Sequence, residues 1–331
     1  MPEVAPAPRF AVVFNPSKSG EAALRHAVRL AEAQASAQPT FWFATAADDG
    51  GRAAARAALD AGVDGVIAAG GDGTVRAVAS VVCETSVPLG IVPIGTGNLF
   101  ARNLGISVTS LETAAITAFT GAPHPVDITR VRALRPGGRE DDDLSLVVAG
   151  VGIDATLIAN TNPELKRRVG WLAYVDAGLR LWRTDPHRVW LRVEQGRMSR
   201  ARVAGTLVAN VGTLPGGAAL VPDASVDDGA FDVVLLQPRS PFGWLLIWRT
   251  VTWEHRVLRR TAVGRQYIAA TTGRRPPRIS FQRGRSLYLA VEGQPQPFEI
   301  DGDVCGEIVS AQFRIDPGAL LVRVPNERPT H

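Results

Sequence analysis

Residues 68–78 read AAGGDGTVRAV: a run of small residues, two glycines, a carboxylate, a third glycine and a hydroxyl. Glycines let a backbone approach a phosphate closely, and successive N–H groups form an anion nest. A helix beginning at such a turn adds positive potential. Gly71 is therefore expected where the chain meets phosphate, with a positive φ as one reason for glycine there. Asp72 would repel the same phosphate unless a cation lay between them. That suggests Mg2+, a hard ion satisfied by carboxylate and phosphate oxygens. An ordinary strand-to-helix turn with Asp72 as helix cap also suits these residues. Two other stretches are of the same kind. NPSKSG, residues 15–20, offers Ser17, Lys18 and Ser19, and PIGTGN, residues 93–98, offers Thr96 and Asn98. No GxxxxGK[ST] phosphate loop occurs.

Each of these turns follows an apolar strand. RFAVVFNP, TFWFAT, GVIAAG and PLGIVPIG read as strands. Residues 21–35, GGRAAARAALDAG, TVRAVASVVCE and segments from Asn98 to Phe119 read as helices. Alternation of strand and helix predicts a parallel sheet covered on both faces, with ligands at the carboxyl ends of its strands. All three glycine turns fall at such ends, and their convergence says more than any one of them.

From about Pro125 the pattern changes. PVDITRVRAL, LSLVVAGVG, HRVWLRVEQ, RVAGTLVANV, AFDVVLLQP, RISFQ and SLYLAVEG read as strands, several of them alternating. This predicts a mostly antiparallel second domain. RPGGREDDD is expected as a polar hairpin loop, with helices over 163–183 and 242–258. The predicted division is residues 1–125, residues 126–316 and a terminal segment 317–331, for which a return to the first domain is one course.

Composition bounds the rest. The chain has 331 residues, 46% hydrophobic and 21% charged, which suits a two-domain globular protein. No apolar run approaches the ~20 residues of a spanning helix. No apolar signal region is seen near the start, and the two cysteines, Cys83 and Cys305, imply no disulfide framework. A cytoplasmic location is expected. Between Arg239 and Arg285 there are eleven arginines against one acid, Glu254, and six of the seven tryptophans lie between Trp171 and Trp253. Residues 241–260 mix aromatic, aliphatic and arginine side chains. Either they pack on a sheet, or they meet an anionic membrane surface as a peripheral contact. The five histidines show no ligand spacing, and His187 and His255 are expected in surface or packing roles.

NPSKSG, GGDGT and PIGTGNLFARNLGI together resemble the diacylglycerol kinase catalytic-domain family, which includes sphingosine kinases. VAGVGIDA, VANVGTLPGGAALVPDASVDDGAFDVV and FEIDGD follow in that family's order, so the resemblance covers nearly the whole chain. It implies an α/β nucleotide domain packed on a β-sandwich, an active site in the cleft between them, and transfer of the ATP γ-phosphate to a lipid hydroxyl. The resemblance assigns nucleotide binding to Asn15, Pro16, Ser17, Lys18, Ser19, Gly20, Thr45, Gly70, Gly71, Asp72, Gly73, Thr74, Val75, Arg76 and Thr96. It assigns Asp72 and Asp127 to the neighbourhood of the catalytic magnesium. It assigns a second, structural metal to the Asp228 carboxylate and the carbonyls of Ser225 and Ala230. Asp303 stands where members often carry the glutamate assigned as general base, with Asp301 the second choice for that role. Leu99 stands where several members carry an aspartate.

Two other readings compete. NAD kinases also place a GGDGT loop before a β-rich domain, and a non-catalytic nucleotide or lipid binder would fit the substitutions at Leu99 and Asp303. The acceptor lipid is open among diacylglycerol, monoacylglycerol, sphingoid base and polyprenol. The oligomeric state is open too, with a homodimer as one course.

Overall fold

A computed structural model describes residues 6–17, 20–46, 49–152, 186–214, 218–219, 224–237 and 279–326. Lys18, Ser19, His255, the helices expected over 163–183 and 242–258, and the segment 241–260 lie outside the described residues. Two compact units divide the chain. One comprises residues 1–128 and 316–331, the other residues 129–315.

The first unit alternates β1 (Phe10–Phe14), α1 (Glu21–Ala35), β2 (Phe41–Ala44), α2 (Arg52–Asp60), β3 (Gly65–Gly70), α3 (Asp72–Val82), β4 (Leu89–Pro93), α4 (Leu99–Asn103) and α5 (Leu111–Thr120). The strands are parallel in the order β2-β1-β3-β4. Every residue of FAVVF in β1 and of GVIAAG in β3 is buried, as central parallel strands require. Helix α1 buries Leu24, Ala27, Val28 and Ala31, a stripe at helical spacing. It packs with α5, and α2 packs with α3. Strands β2 and β3 flank β1 on opposite sides, so the strand order reverses beside β1. A crevice at that reversal is the standing ligand position of such sheets. The helical segments expected from Asn98 to Phe119 are α4 and α5, and Gly105, at φ +73°, lies between them.

The second unit is an antiparallel sandwich. After β5 (Ala122–Leu134) come β6 (Glu140–Ser145), β7 (Val148–Val151), β8 (His187–Val193), β9 (Ser199–Val203) and β10 (Gly205–Ala209). Then follow β11 (Thr213–Leu214), β12 (Ala218–Ala219), β13 (Phe231–Leu236), β14 (Ile279–Gly284), β15 (Ser286–Glu292), β16 (Gln296–Ile300), β17 (Asp303–Ile308) and β18 (Ser310–Val324). The boundary between the units falls within β5 and β18. One layer has the order β9-β8-β15-β18-β5-β6 and the other β14-β13-β10-β7-β16-β17. Leu191, Leu289 and Phe313 from the first layer meet Val151, Phe231 and Phe298 from the second in one buried cluster. In the first unit, the end of β18 lies parallel beside β4, with Val322 opposite Leu89.

Two local expectations need correction. The acidic run EDDD is not a loop but the start of β6, and the turn is confined to residues 136–138. Cross-strand pairing explains it: Arg132 Nε reaches Asp142 at 2.8 Å and Arg135 Nε reaches Asp141 at 2.8 Å. Opposite charges facing one another across a ladder make an acidic run tolerable as strand. The stretch LSLVVAGVG is likewise not one strand. It is interrupted at Leu146 and Val147, whose N–H groups leave the ladder and donate to the Asp301 carboxylate.

Candidate active site

The first glycine turn leaves β1. Asn15 N–H donates to the carbonyl of Ala69 on β3 at 3.4 Å. The Asn15 side-chain oxygen accepts from both N–H (2.9 Å) and Oγ (2.6 Å) of Ser17, which folds the turn back on itself. Gly20, at φ +112°, caps the start of α1. Thr45 leaves β2 with its N–H on the Phe14 carbonyl at 2.9 Å.

The second turn connects β3 to α3. Gly71 is the N-cap, with φ −90° and ψ −175°. The expected positive φ is absent, and an added Cβ would meet only the Gly95 Cα, at 3.5 Å, so neither the backbone nor the packing around it requires glycine here. Thr74, Val75 and Arg76 are buried. What the turn offers a ligand is therefore backbone: the first N–H groups of α3, which have no partner within the helix.

The third turn closes against the second. A Cβ on Gly95 would lie 2.6 Å from the Gly71 Cα and 2.8 Å from Asn98 Oδ1, so two glycine backbones touch here. Ile94 N–H donates to the Gly70 carbonyl at 2.9 Å. Asn98 takes a left-handed conformation at φ 48°, which asparagine tolerates better than most residues. Its side chain grips Gly95 twice, accepting from the N–H at 3.1 Å and donating to the carbonyl at 2.7 Å. Thr96 stays exposed at the tip.

Asp72 ties the two turns together. Its Oδ1 accepts the Leu99 N–H at 2.7 Å, and the N–H groups of Phe100 and Asn98 also face the carboxylate. Asp72 thus serves the start of α4, whereas a cap for its own helix was the simple expectation. Burial pushes its carboxyl pKa up, and the surrounding N–H groups pull against that rise. A partly desolvated carboxylate with one oxygen held by backbone fits a divalent cation that also meets phosphate. Leu99 is 7% exposed, so this position supplies an N–H to the site and an apolar side chain to the core. Asp127, on β5, is buried, and it accepts the Gly318 N–H at 2.8 Å.

In the second unit the two candidate bases differ. Asp301 and Gly302 both have positive φ, 53° and 89°, in the two-residue turn between β16 and β17. The Asp301 carboxylate is buried and accepts from Ser145 Oγ (2.8 Å) and from the N–H groups of Leu146 (2.9 Å), Val147 (2.9 Å) and Val148 (3.0 Å). It anchors a backbone segment. Asp303, the first residue of β17, is exposed.

The proposed second metal ligands fit poorly. Asp228 accepts the N–H of Ser225 at 3.0 Å and of Ala230 at 3.1 Å, and Arg283 Nη2 lies 2.7 Å from it. The carboxylate is already charge-compensated by a guanidinium. His187 fills the space beside Gly152, where an added Cβ would run into its ring; that matches a packing role. Among the described residues no helix is long and apolar enough to cross a membrane.

Comparison with known proteins bears on both units. Residues 9–131 match the family model described as diacylglycerol kinase catalytic domain. Residues 145–324 match the one described as YegS C-terminal NAD kinase beta sandwich-like domain. A diacylglycerol kinase of Bacillus subtilis is 30% identical over 234 residues, 69% of this chain and 74% of its own length. A Stenotrophomonas maltophilia protein named "Probable lipid kinase YegS-like" is 29% identical over 330 residues, 96% of each chain. A crystal structure of a Bacillus anthracis diacylglycerol kinase superposes with a TM-score of 0.64 at 17% identity, covering 96% of each chain, which is a likeness of fold.

Proposed function

The chain belongs to the diacylglycerol kinase catalytic-domain family, and from that premise we propose that it is a lipid kinase transferring the γ-phosphate of ATP, with Mg2+, to a lipid hydroxyl. The observation that carries this reading is the contact between the turns at Gly71 and Gly95, closed around Asp72 at the carboxyl ends of β3 and β4.

Each residue has a task. The N–H groups at the start of α3 hold phosphate oxygens, and Asn15, Ser17 and Thr45 border the same crevice on the β1 and β2 side. Asp72, with Asp127, would hold Mg2+, which supplies charge neutralisation to the transferring phosphoryl group when bound. Asp303 accepts the hydroxyl proton as the phosphoryl group arrives. Asp301 keeps the segment from Ser145 to Val148 in place and takes no proton. The Asp228 turn is held by Arg283.

Purified protein with labelled ATP, Mg2+ and a total lipid extract tests the reading. A labelled lipid is expected, and its chromatographic identity names the acceptor. Label transferred to NAD in place of lipid would overturn the proposal in favour of an NAD kinase. ATP binding with no product would leave a binding protein.

A further inference from the structure

One layer of the sandwich turns a basic and aromatic face outward. In β8, β9, β15 and β18 alternate residues such as Val189, Leu191, Val203, Leu287 and Phe313 enter the core. Residues of the other parity point away from it: Arg188, Trp190 and Arg192 on β8, Arg200 and Arg202 on β9, and Arg314 on β18, all exposed. Register makes the face continuous. Arg188 lies opposite Arg202 and Trp190 opposite Arg200, while Arg192 lies opposite Tyr288 and Arg314 opposite Ser286. On β8, β9 and β15 Glu292 is the one acid at these outward positions, engaged by Arg200 and, at 3.7 Å, by Arg188, while on β18 Asp316 follows Arg314 at the same parity. The acids of the same layer, Glu140 and Asp142, are segregated on β6 at its far end. Trp190 is 40% exposed, with the Arg200 guanidinium 5.6 Å from its ring centre.

We propose that this face docks the protein on the headgroups of an anionic bilayer. The proposal rests on the lipid-acceptor reading above and adds the surface by which the protein reaches that acceptor. Five arginines against two acids select a negative partner. Guanidinium groups bind phosphate in a fork and shed water readily. An exposed indole, apolar in body and polar at its tip, suits the boundary between headgroup and acyl chain. Arg192 lies opposite Tyr288, away from Glu292 in register, and Arg202 is separated from Glu292 by Arg188, which stands between them on the same rung, so both present charge outward.

Flotation of the full chain with vesicles tests this. Wild type should float with vesicles containing phosphatidylglycerol, not with pure phosphatidylcholine, and salt should release it. Each arginine near such a surface is worth about fivefold in binding, so Arg192→Gln/Arg202→Gln together should cost about twenty-five-fold. Phosphorylation of vesicle-embedded diacylglycerol should fall in parallel, and that of detergent-dispersed short-chain diacylglycerol should not. Flotation needs no catalysis, so a chain that floats through these arginines yet phosphorylates no lipid supports the surface and overturns the kinase reading. A double variant that floats like wild type, or a wild type that leaves anionic vesicles for an equal charge of duplex DNA, overturns the surface.

Discussion

The N–H of Leu99 donates to the Asp72 carboxylate at 2.7 Å across 27 positions of sequence. One bond therefore joins the start of α3 to the start of α4 and fixes the two turns that the proposed triphosphate would meet. The carboxylate held this way is also desolvated, and burial raises its pKa from the ordinary 3.8. A carboxyl raised on folding favours the native state only below its ordinary pKa. That contribution is lost as pH rises through the folded value, so at neutral pH the ionised group weighs against folding.

Asp72→Asn should separate stability from activity. The amide oxygen still accepts the Leu99 N–H, and the buried charge is gone. The melting temperature of the nucleotide-free chain at pH 7 is expected to rise by about 2 °C. Turnover is expected to fall by at least about 10²-fold, because the cation loses one of its two proposed protein carboxylates. Thermal melts and steady-state rates on one preparation check both. Wild-type values in both assays would remove Asp72 from either role.

The glycine pair gives a contrast within one contact. Gly95→Ala would place a Cβ 2.6 Å from the Gly71 Cα, where backbone cannot yield. A cost of about 2 kcal/mol in urea unfolding is expected, with loss of ATP affinity. Gly71→Ala meets Gly95 Cα at 3.5 Å, an ordinary contact, and φ −90° suits alanine. Its stability should stay within about 0.5 kcal/mol of wild type. Its ATP dissociation constant should still rise, since the methyl group enters the phosphate nest. Calorimetric titration giving equal affinity would move the triphosphate away from this turn.

The parallel sheet and its three turns were legible because their signals are local: apolar runs in β1 and β3, and glycines just beyond them. What Asn98 and Asp301 do was not. Asn98 grips Gly95 three residues back, a contact that PIGTGN permits but does not require. Asp301 serves donors 153 to 156 positions upstream, and no spacing rule connects them. The acidic strand β6 was hidden for a related reason. EDDD alone reads as solvated loop, and it is the arginines that meet it, Arg132 on β5 and Arg135 just beyond, that make a strand tolerable.

Chelation should leave the Asp228 turn intact. Arg283 supplies the positive charge that a metal would bring, in a half-exposed pair worth about 1 kcal/mol or less. EDTA is therefore expected to leave the melting temperature of wild type unchanged. Arg283→Met keeps the apolar stem and removes the charge, and the variant should then gain stability on addition of millimolar Ca2+. A fall in wild-type stability on chelation would mean that a cation holds the turn after all.

The two aspartates around Gly302 should fail in different ways. Asp301 accepts four hydrogen bonds, three from backbone N–H groups in a buried setting. Asp301→Asn turns an NH2 group toward donors that need an acceptor, and about 3 kcal/mol of stability should be lost. Its activity should fall in step with the folded fraction. Asp303 is exposed, so Asp303→Asn should melt like wild type. A lipid alcohol holds its proton tightly, and a positioned carboxylate typically contributes ~10²–10⁴-fold to removing it. Turnover of Asp303→Asn should drop by about that factor while ATP affinity stays unchanged, because the residue serves the acceptor and not the nucleotide. Asp303→Glu keeps the carboxylate on a longer arm and should retain activity. If Asp303→Asn turns over at the wild-type rate, the proton leaves by another group, and the assignment carried by this position fails.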